Sequence, residues 1–235
     1  MLFTAGEAVP SGFSSHRTFM NHPHNLHIRN QVFKLYPEKV VLWKTQNMLL
    51  IADAHFGKGN HFRKSGLAVP VDALNETAAR LGQLLNQIQP KACIFLGDLF
   101  HSHINRHWQN FEALVSKFNG VKFTLVRGNH DIIDEKFLLG LGFQIADEIY
   151  LSGFHLTHHP VETPEYFNIC GHLHPGVKLH NSIHFTEKLP CFHLRPNQLI
   201  LPSFGSFTGK KAIRPREGDR VFVIAGSEVV EIEPW

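Results

Sequence analysis

The sequence predicts an α/β sandwich, two mixed sheets flanked by helices, and three observations lead there. The first half alternates apolar runs of strand length with runs of helical period, in the order strand, helix, strand, helix, strand. Its inner strands are continuous apolar runs, such as Ala92-Cys93-Ile94-Phe95-Leu96, the pattern of strands covered on both faces. After Gly176 the pattern turns to short strands, with hairpin signals at Pro196-Asn197 and Gly226-Ser227. Helix-linked strands followed by turn-linked strands give layered mixed sheets rather than one parallel sheet. A length of 235 residues suits one such domain and is short for two.

Each element has a local reason. Val40 to Trp43 and Met48 to Ala52 read as two strands around a turn at Thr45-Gln46-Asn47. Beyond Pro70, Val71, Leu74, Ala78, Leu81, Leu85 and Ile88 recur at helical spacing, with Asp72 near the start and Pro90 past the end. Ala92 to Leu96 is a buried strand. Trp108, Phe111, Val115 and Phe118 form the apolar stripe of a second helix, closed by Gly120. Val121 to Val126 is another buried strand, and a short helix follows around Glu135 to Leu139. Strand segments follow between Phe143 and Thr157, then at Tyr166 to Cys170, Val177 to Leu179, Cys191 to Leu194, Gln198 to Leu201, Val221 to Ala225 and Val229 to Ile232. Residues 1–30 are rich in Ser, Asn, Pro and His without a sustained period. They are expected to form a disordered tail, with Met20 as an alternative start and His22 to His27 as an adventitious metal binder at most. The domain proper is expected over residues 31–235, its core beginning near Val32.

Composition excludes several classes. The chain is 43% hydrophobic and 18% charged, the profile of a folded globular protein. No apolar run reaches the roughly 18–20 residues that span a bilayer, and the N-terminus carries no basic-then-apolar leader. No membrane partner and a cytoplasmic location are therefore expected. Cys93, Cys170 and Cys191 are too few and too scattered for a disulfide framework or a thiolate zinc site. The net charge of +3 permits a polyanionic substrate without requiring one. Eighteen histidines stand out, because histidine is the commonest metal ligand, and their positions decide what they mean.

Five predicted strands end in metal-ligand chemistry. They run into Asp53-Ala54-His55, Gly97-Asp98, Gly128-Asn129-His130-Asp131, His158-His159 and Gly171-His172-Leu173-His174. In α/β sheets, ligands bind beyond the carboxyl ends of strands. In extended chain, side chains two apart point the same way, so Asp53 and His55 are expected to share one ion, as are His172 and His174. Glycines before Asp98, Asn129 and His172 let backbone approach a crowded centre. The donors are oxygen and nitrogen without thiolate, which suits Mn, Fe, Zn or Co. Asp53, His55, Asp98, Asn129, His158, His172 and His174 make seven candidate donors, which exceed one tetrahedral ion and suit two. Two ions roughly 3.5–4 Å apart are a recurring device for phosphoester cleavage.

The order Asp-x-His, Gly-Asp, Gly-Asn-His-Asp, His, Gly-His-x-His resembles the calcineurin-like metallophosphoesterases between Leu49 and His174. Three further segments sharpen the likeness: Ala52 to Lys58, Phe62 to Pro70 with Arg63, and Leu201 to Gly209. With Gly97-Asp98-Leu99-Phe100-His101-Ser102, these are similar to the ligase-associated DNA damage response endonucleases, a bacterial repair branch, over roughly Tyr36 to Ile232. Ala54 and Phe56 depart from the leucines expected in the first block. The resemblance implies a calcineurin-like sandwich holding two divalent ions, with manganese preferred. It implies that Asp53, His55 and His174 hold the first ion, that Asn129, His158 and His172 hold the second, and that Asp98 bridges. It places His130 over the phosphate, with Asp131 accepting its other ring N–H. His159 stays open as an alternative to His158, which is preferred because it directly follows the strand run.

Function follows the same resemblance: a metal-dependent phosphodiesterase, a DNA endonuclease or DNA-processing enzyme in repair, with DNA as partner and a ligase or helicase beside it. A small-molecule phosphatase or cyclic nucleotide phosphodiesterase could use the same two-metal scaffold, and a non-catalytic scaffold would have to explain an intact donor set. Lys58, His61, Arg63 and Lys64 form a basic loop after the first ligand pair. Lys58, Arg63, His101 and Arg127 are the candidate substrate contacts. His103 and His107 read as plain polar positions, and Trp108 and the spaced phenylalanines as core.

Overall fold

Alternate residues of the inner strands face two different cores, which is why those strands are apolar throughout. The computed structural model describes residues 22–58, 71–100, 106–131, 133–180, 186–206 and 208–233. The first sheet runs in chain order: β1 (His24–Ile28), β2 (Gln31–Tyr36), β3 (Val40–Trp43), β4 (Met48–Ile51), β5 (Ala92–Leu96), β6 (Lys122–Val126) and β7 (Gln144–Ala146). Pairing is antiparallel from β1 to β4 and parallel from β4 to β7. The helices α1 (Val71–Ile88), α2 (Arg106–Val115) and α3 (Glu135–Gly140) supply the connections around the parallel part. Leu49, Ile51, Cys93 and Phe95 pack toward these helices, against Leu81, Leu85, Phe111 and Leu138.

The same strands turn Val41, Trp43, Leu50, Ile94 and Leu96 to the opposite face. There they meet the second sheet, ordered β14 (Lys211–Ala212), β11 (Pro175–His180), β12 (Thr186–Arg195), β13 (Gln198–Ile200), β10 (Phe167–Cys170), β9 (Phe154–Leu156), β8 (Ile149–Leu151). From β12 the sheet branches to β15 (Arg220–Ala225) and β16 (Glu228–Ile232). Phe154, Phe167, Ile169, Phe192, Leu199 and Phe222 fill the space between the sheets. Trp43 lies edge-on to Phe154 at a centroid distance of 4.8 Å, and both touch Phe33. The expected mixed-sheet sandwich is the fold observed. Among the described residues the helices cover the first sheet, not the second.

One boundary is corrected. Residues 1–21 lie outside the described part, but His24–Ile28 form β1, paired with β2 in register from His24↔Leu35 to Ile28↔Gln31. Leu26 and Ile28 point into the inter-sheet core while Asn25 and His27 face out. A polar edge strand with only two inward residues reads by composition as tail. The core therefore begins before Val32.

All five motif segments leave the same edge, beyond the carboxyl ends of β4, β5 and β6 in one sheet and β9 and β10 in the other. The parallel pairs β4/β5, β5/β6 and β9/β10 put these ends side by side.

Candidate metal centre

Left-handed backbone, not strand pleat, gathers the donors. Asp53, His55, Asp98, His172 and His174 all have positive φ, between 45° and 65°. Non-glycine residues seldom adopt this conformation, and it persists where surrounding structure holds it, typically at functional sites. The expectation that extended chain aligns residues two apart is therefore corrected. Asp53 and His55 do converge, together with His174. His172 does not share that group. It joins His158 and His159 instead.

The chain around these turns is close-packed. Added methyl carbons at Gly97, Gly128 and Gly171 would overlap the His158 ring, the Asp98 backbone and the Asp53 carboxylate respectively. The reason for these three glycines is close approach. Only Gly97 also has positive φ.

Asp53 is fully buried. Its Oδ2 accepts the backbone N–H of His172 at 2.8 Å. Its Oδ1 accepts no hydrogen bond, yet lies 3.3 Å from His174 Nε2. His174 Nδ1 faces the Gly209 carbonyl at 3.2 Å. A carbonyl only accepts, so Nδ1 carries the proton and Nε2 presents a lone pair. The same logic holds at His158. Its Nδ1 donates to the Leu96 carbonyl at 2.9 Å, leaving Nε2 as a lone pair. That Nε2 faces Asn129 Oδ1 at 3.0 Å, His172 Nδ1 at 3.2 Å and Asp98 Oδ1 at 3.5 Å. Burial and the neighbouring His159 and His158 lower the pKa of His172, which keeps that imidazole neutral.

Donor atoms facing one another, some of them buried, are unfavourable unless a cation lies among them. Among the described residues Asp53, His55 and His174 converge in one such place, and His158 converges with His172 and His159 in another, where Asn129 Oδ1 also faces His158. Asp98 stands between them, Oδ1 toward His158 and Oδ2 3.8 Å from His55 Nε2. The donor set fits two divalent ions. His158 is buried and directed into the centre, whereas His159 is exposed and packs its ring on His172 at 4.1 Å. Both imidazoles lie in the group with His172.

The other expected residues divide. His130 is exposed at the mouth, its ring 6.4 Å from His55, and its backbone N–H donates to Asp98 Oδ1 at 2.9 Å. Asp131 has a structural role that its place beside His130 does not announce. Its carboxylate accepts the backbone N–H groups of Leu99 at 2.6 Å, Gly128 at 2.8 Å, Asp98 at 3.0 Å and Phe100 at 3.3 Å. It ties the loops after β5 and β6 together. Lys58 is half-buried behind the first pair. Burial lowers its pKa, while Asp98 and Asp53 oppose that shift. Arg63 and His101 lie outside the described residues.

Arg127, a candidate substrate contact, is exposed and already paired. Its guanidinium is paired with Glu135 at 2.5 Å and 3.1 Å and with Asp147 at 2.5 Å, on the exposed flank of the loop. Exposed pairs of this kind contribute little. Arg127→Ala is expected to change kcat/KM on a phosphodiester by less than about twofold. A tenfold loss in steady-state assays would return Arg127 to the substrate.

Sequence reading gave no role to the segment Leu201–Gly205, which supports the first ligand turn. Phe204 N–H donates to the Ala52 carbonyl at 2.8 Å, and Gly205 N–H and Ser203 Oγ donate to the Asp53 carbonyl at 3.1 and 2.8 Å. Arg80 donates to the Phe204 carbonyl and lies 4.4 Å over the Phe204 ring. The signal was the motif block itself, whose function only the tertiary contacts show.

Fold and donor set together define a phosphoester hydrolase with groups that could hold divalent metal. The chain belongs to the calcineurin-like phosphoesterase family, whose model matches residues 47–222. Among solved structures it is similar to the Pseudomonas putida nuclease MPE, with a TM-score of 0.72 and 27% identity, over 90% of this chain and 100% of that one. No curated protein matches the chain. No helix among the described residues is long and apolar enough to cross a membrane.

Proposed function

We propose that the chain is a metal-dependent phosphodiesterase that cleaves DNA. The observation that carries this reading is the position of Asp98, one carboxylate oxygen turned to each of two groups of opposed lone pairs. That is the arrangement a bridging carboxylate needs. Asp53, His55 and His174 would hold one ion, and Asn129, His158 and His172 the other. Bound there, two divalent ions would neutralise phosphoryl oxygens and supply hydroxide near neutral pH. His130, exposed at the mouth, is positioned to stabilise charge on the departing oxygen or to protonate it. Asp131 and the Leu201–Gly205 segment keep the ligand turns in register. Manganese is the expected ion, with Zn, Fe or Co admitted by the same donors.

DNA as substrate is supported by the likeness to a nuclease over the whole length of that chain. A repair setting beside a ligase or helicase, in the cytoplasm, is supported by the sequence resemblance alone. The test is hydrolysis of bis(p-nitrophenyl) phosphate and of linear single- and double-stranded DNA by metal-stripped protein with added Mn²⁺. Cleavage of the small ester beside intact DNA would move the function to a small phosphodiester, such as a cyclic nucleotide. Loss of both would overturn the enzyme reading.

Salt gives an independent check. Three phosphate contacts at a slope of about 0.7 each imply a roughly 10- to 20-fold fall in DNA affinity between 50 and 200 mM salt. The bis ester, with one phosphate, should change by less than about threefold. A flat response on DNA would count against a strand-gripping enzyme.

A further inference from the structure

Beside His174 lies a separate cavity of about 70 Å³. Lys39, Lys210, Ser206 and Thr208 line it with His174. Lys39 sits at the tip of the β2–β3 turn, where its N–H closes on the Tyr36 carbonyl at 3.0 Å and its φ is +68°. Lys210 precedes β14. Neither lysine belongs to the groups that converge on the two ion positions. Among the described residues, neither ammonium forms an ion pair. Arg80 adds a third cation nearby, already engaged by Glu76 at 3.1 Å and by the Phe204 carbonyl.

The cavity has a size and a sign. The space is small, suited to a few waters or a small anion and not to a nucleoside. Burial and the like charges of Arg80 and Lys210 push the Lys39 ammonium down to about 8. Lys39, Lys210 and Arg80 crowd here, with Glu76 and Glu38 the carboxylates that act on them, and an anion would relieve the repulsion among the cations. The hydroxyls are partly committed: Thr208 Oγ1 donates to the Gly205 carbonyl at 2.8 Å, and Ser206 Oγ accepts from Arg80 at 3.5 Å. The Ser206 hydroxyl keeps its proton to donate.

We infer that this cavity is a second phosphate subsite, in which Lys39, Lys210 and Ser206 hold a neighbouring phosphate of the strand whose scissile phosphate lies on the two-ion centre. The inference rests on the phosphodiesterase reading above. It specifies a substrate with at least two phosphates, because His174 lines both the cavity and the first ion group.

The test compares wild type with the Lys39→Gln/Lys210→Ala double variant and with Lys210→Gln alone, an exposed position that spares the fold. The first readout is binding of inorganic phosphate to metal-stripped protein by calorimetry, where the unneutralised carboxylates of the ligand groups repel the anion. The second is Mn²⁺-supported hydrolysis of bis(p-nitrophenyl) phosphate and of thymidine 3′-phosphate 5′-(p-nitrophenyl phosphate), which carries a second phosphate. Losing charge-assisted contacts should weaken phosphate binding at least about tenfold and raise KM for the two-phosphate ester by about as much, with the bis ester within about twofold. Unchanged phosphate binding in the double variant overturns the subsite, as does equal loss on both esters. Phosphate binding without any KM advantage for the two-phosphate ester overturns the strand assignment and leaves a free-phosphate site. If wild type hydrolyses neither ester, the phosphodiesterase reading fails, and the calorimetry still decides whether the cavity binds phosphate.

Discussion

Asp98→Asn is expected to lower kcat on a phosphodiester by about 10³-fold or more, because with divalent ions bound several kcal/mol of charge stabilisation would depend on this carboxylate. The amide can still accept the His130 N–H, now 2.9 Å from Oδ1, so the loop after β6 keeps its place. What it loses is the charge and the second oxygen facing His55. Metal content measured by mass spectrometry should fall from two equivalents toward one. The metal-stripped variant should melt no lower than wild type. Asp53 and Asp98 are both almost fully buried, and without ions two such carboxylates repel. Retained turnover with two bound ions would remove Asp98 from its bridging role. A lower melting temperature of the stripped variant would mean the carboxylate is structural.

Much of this centre was legible in the sequence because its donors sit at strand ends. Continuous apolar runs such as Ala92–Leu96 mark the strands, and the polar group that follows each run marks the edge. What the sequence hid was how the donors meet. Asp53, His55, Asp98, His172 and His174 adopt left-handed backbone, and nothing in an Asp or His signals that as a glycine does. Pairing by strand alternation therefore put His172 and His174 on one ion, where the structure separates them. Partner choice was hidden too. Arg127 looked like a phosphate contact by its place before Asn129, but Glu135 and Asp147 reach it from the next helix and the next turn. β1 went unread because an edge strand buries only Leu26 and Ile28. The helix α1 was read correctly, since an amphipathic stripe along eighteen residues needs no tertiary information.

Asp131 supplies the sharpest contrast between sequence reading and structure, and its replacement separates them. If it served only to orient the His130 ring, Asp131→Ala would lower turnover and leave stability alone. In the structure its two oxygens accept four backbone N–H groups, from Asp98, Leu99, Phe100 and Gly128. Alanine would orphan all four at once. Each buried, unmet donor costs about 1–3 kcal/mol, and water entering a half-buried position recovers part of this, so a loss of roughly 2–4 kcal/mol is expected. Asp131→Asn keeps one accepting oxygen and should lie between. Activity should fall with it, because the same bonds fix the distance between the turn carrying Asp98 and the turn carrying Asn129. A displacement of about 1 Å at such a centre costs on the order of 10²-fold. Urea unfolding of metal-stripped protein reads the first effect without interference from bound ions, and kcat at saturating Mn²⁺ reads the second. A variant with wild-type stability and depressed kcat would restore the His130-orienting role. A variant that is destabilised and weak in Mn²⁺ binding places Asp131 where the geometry puts it, as the clamp that holds two ligand turns at the spacing two ions require.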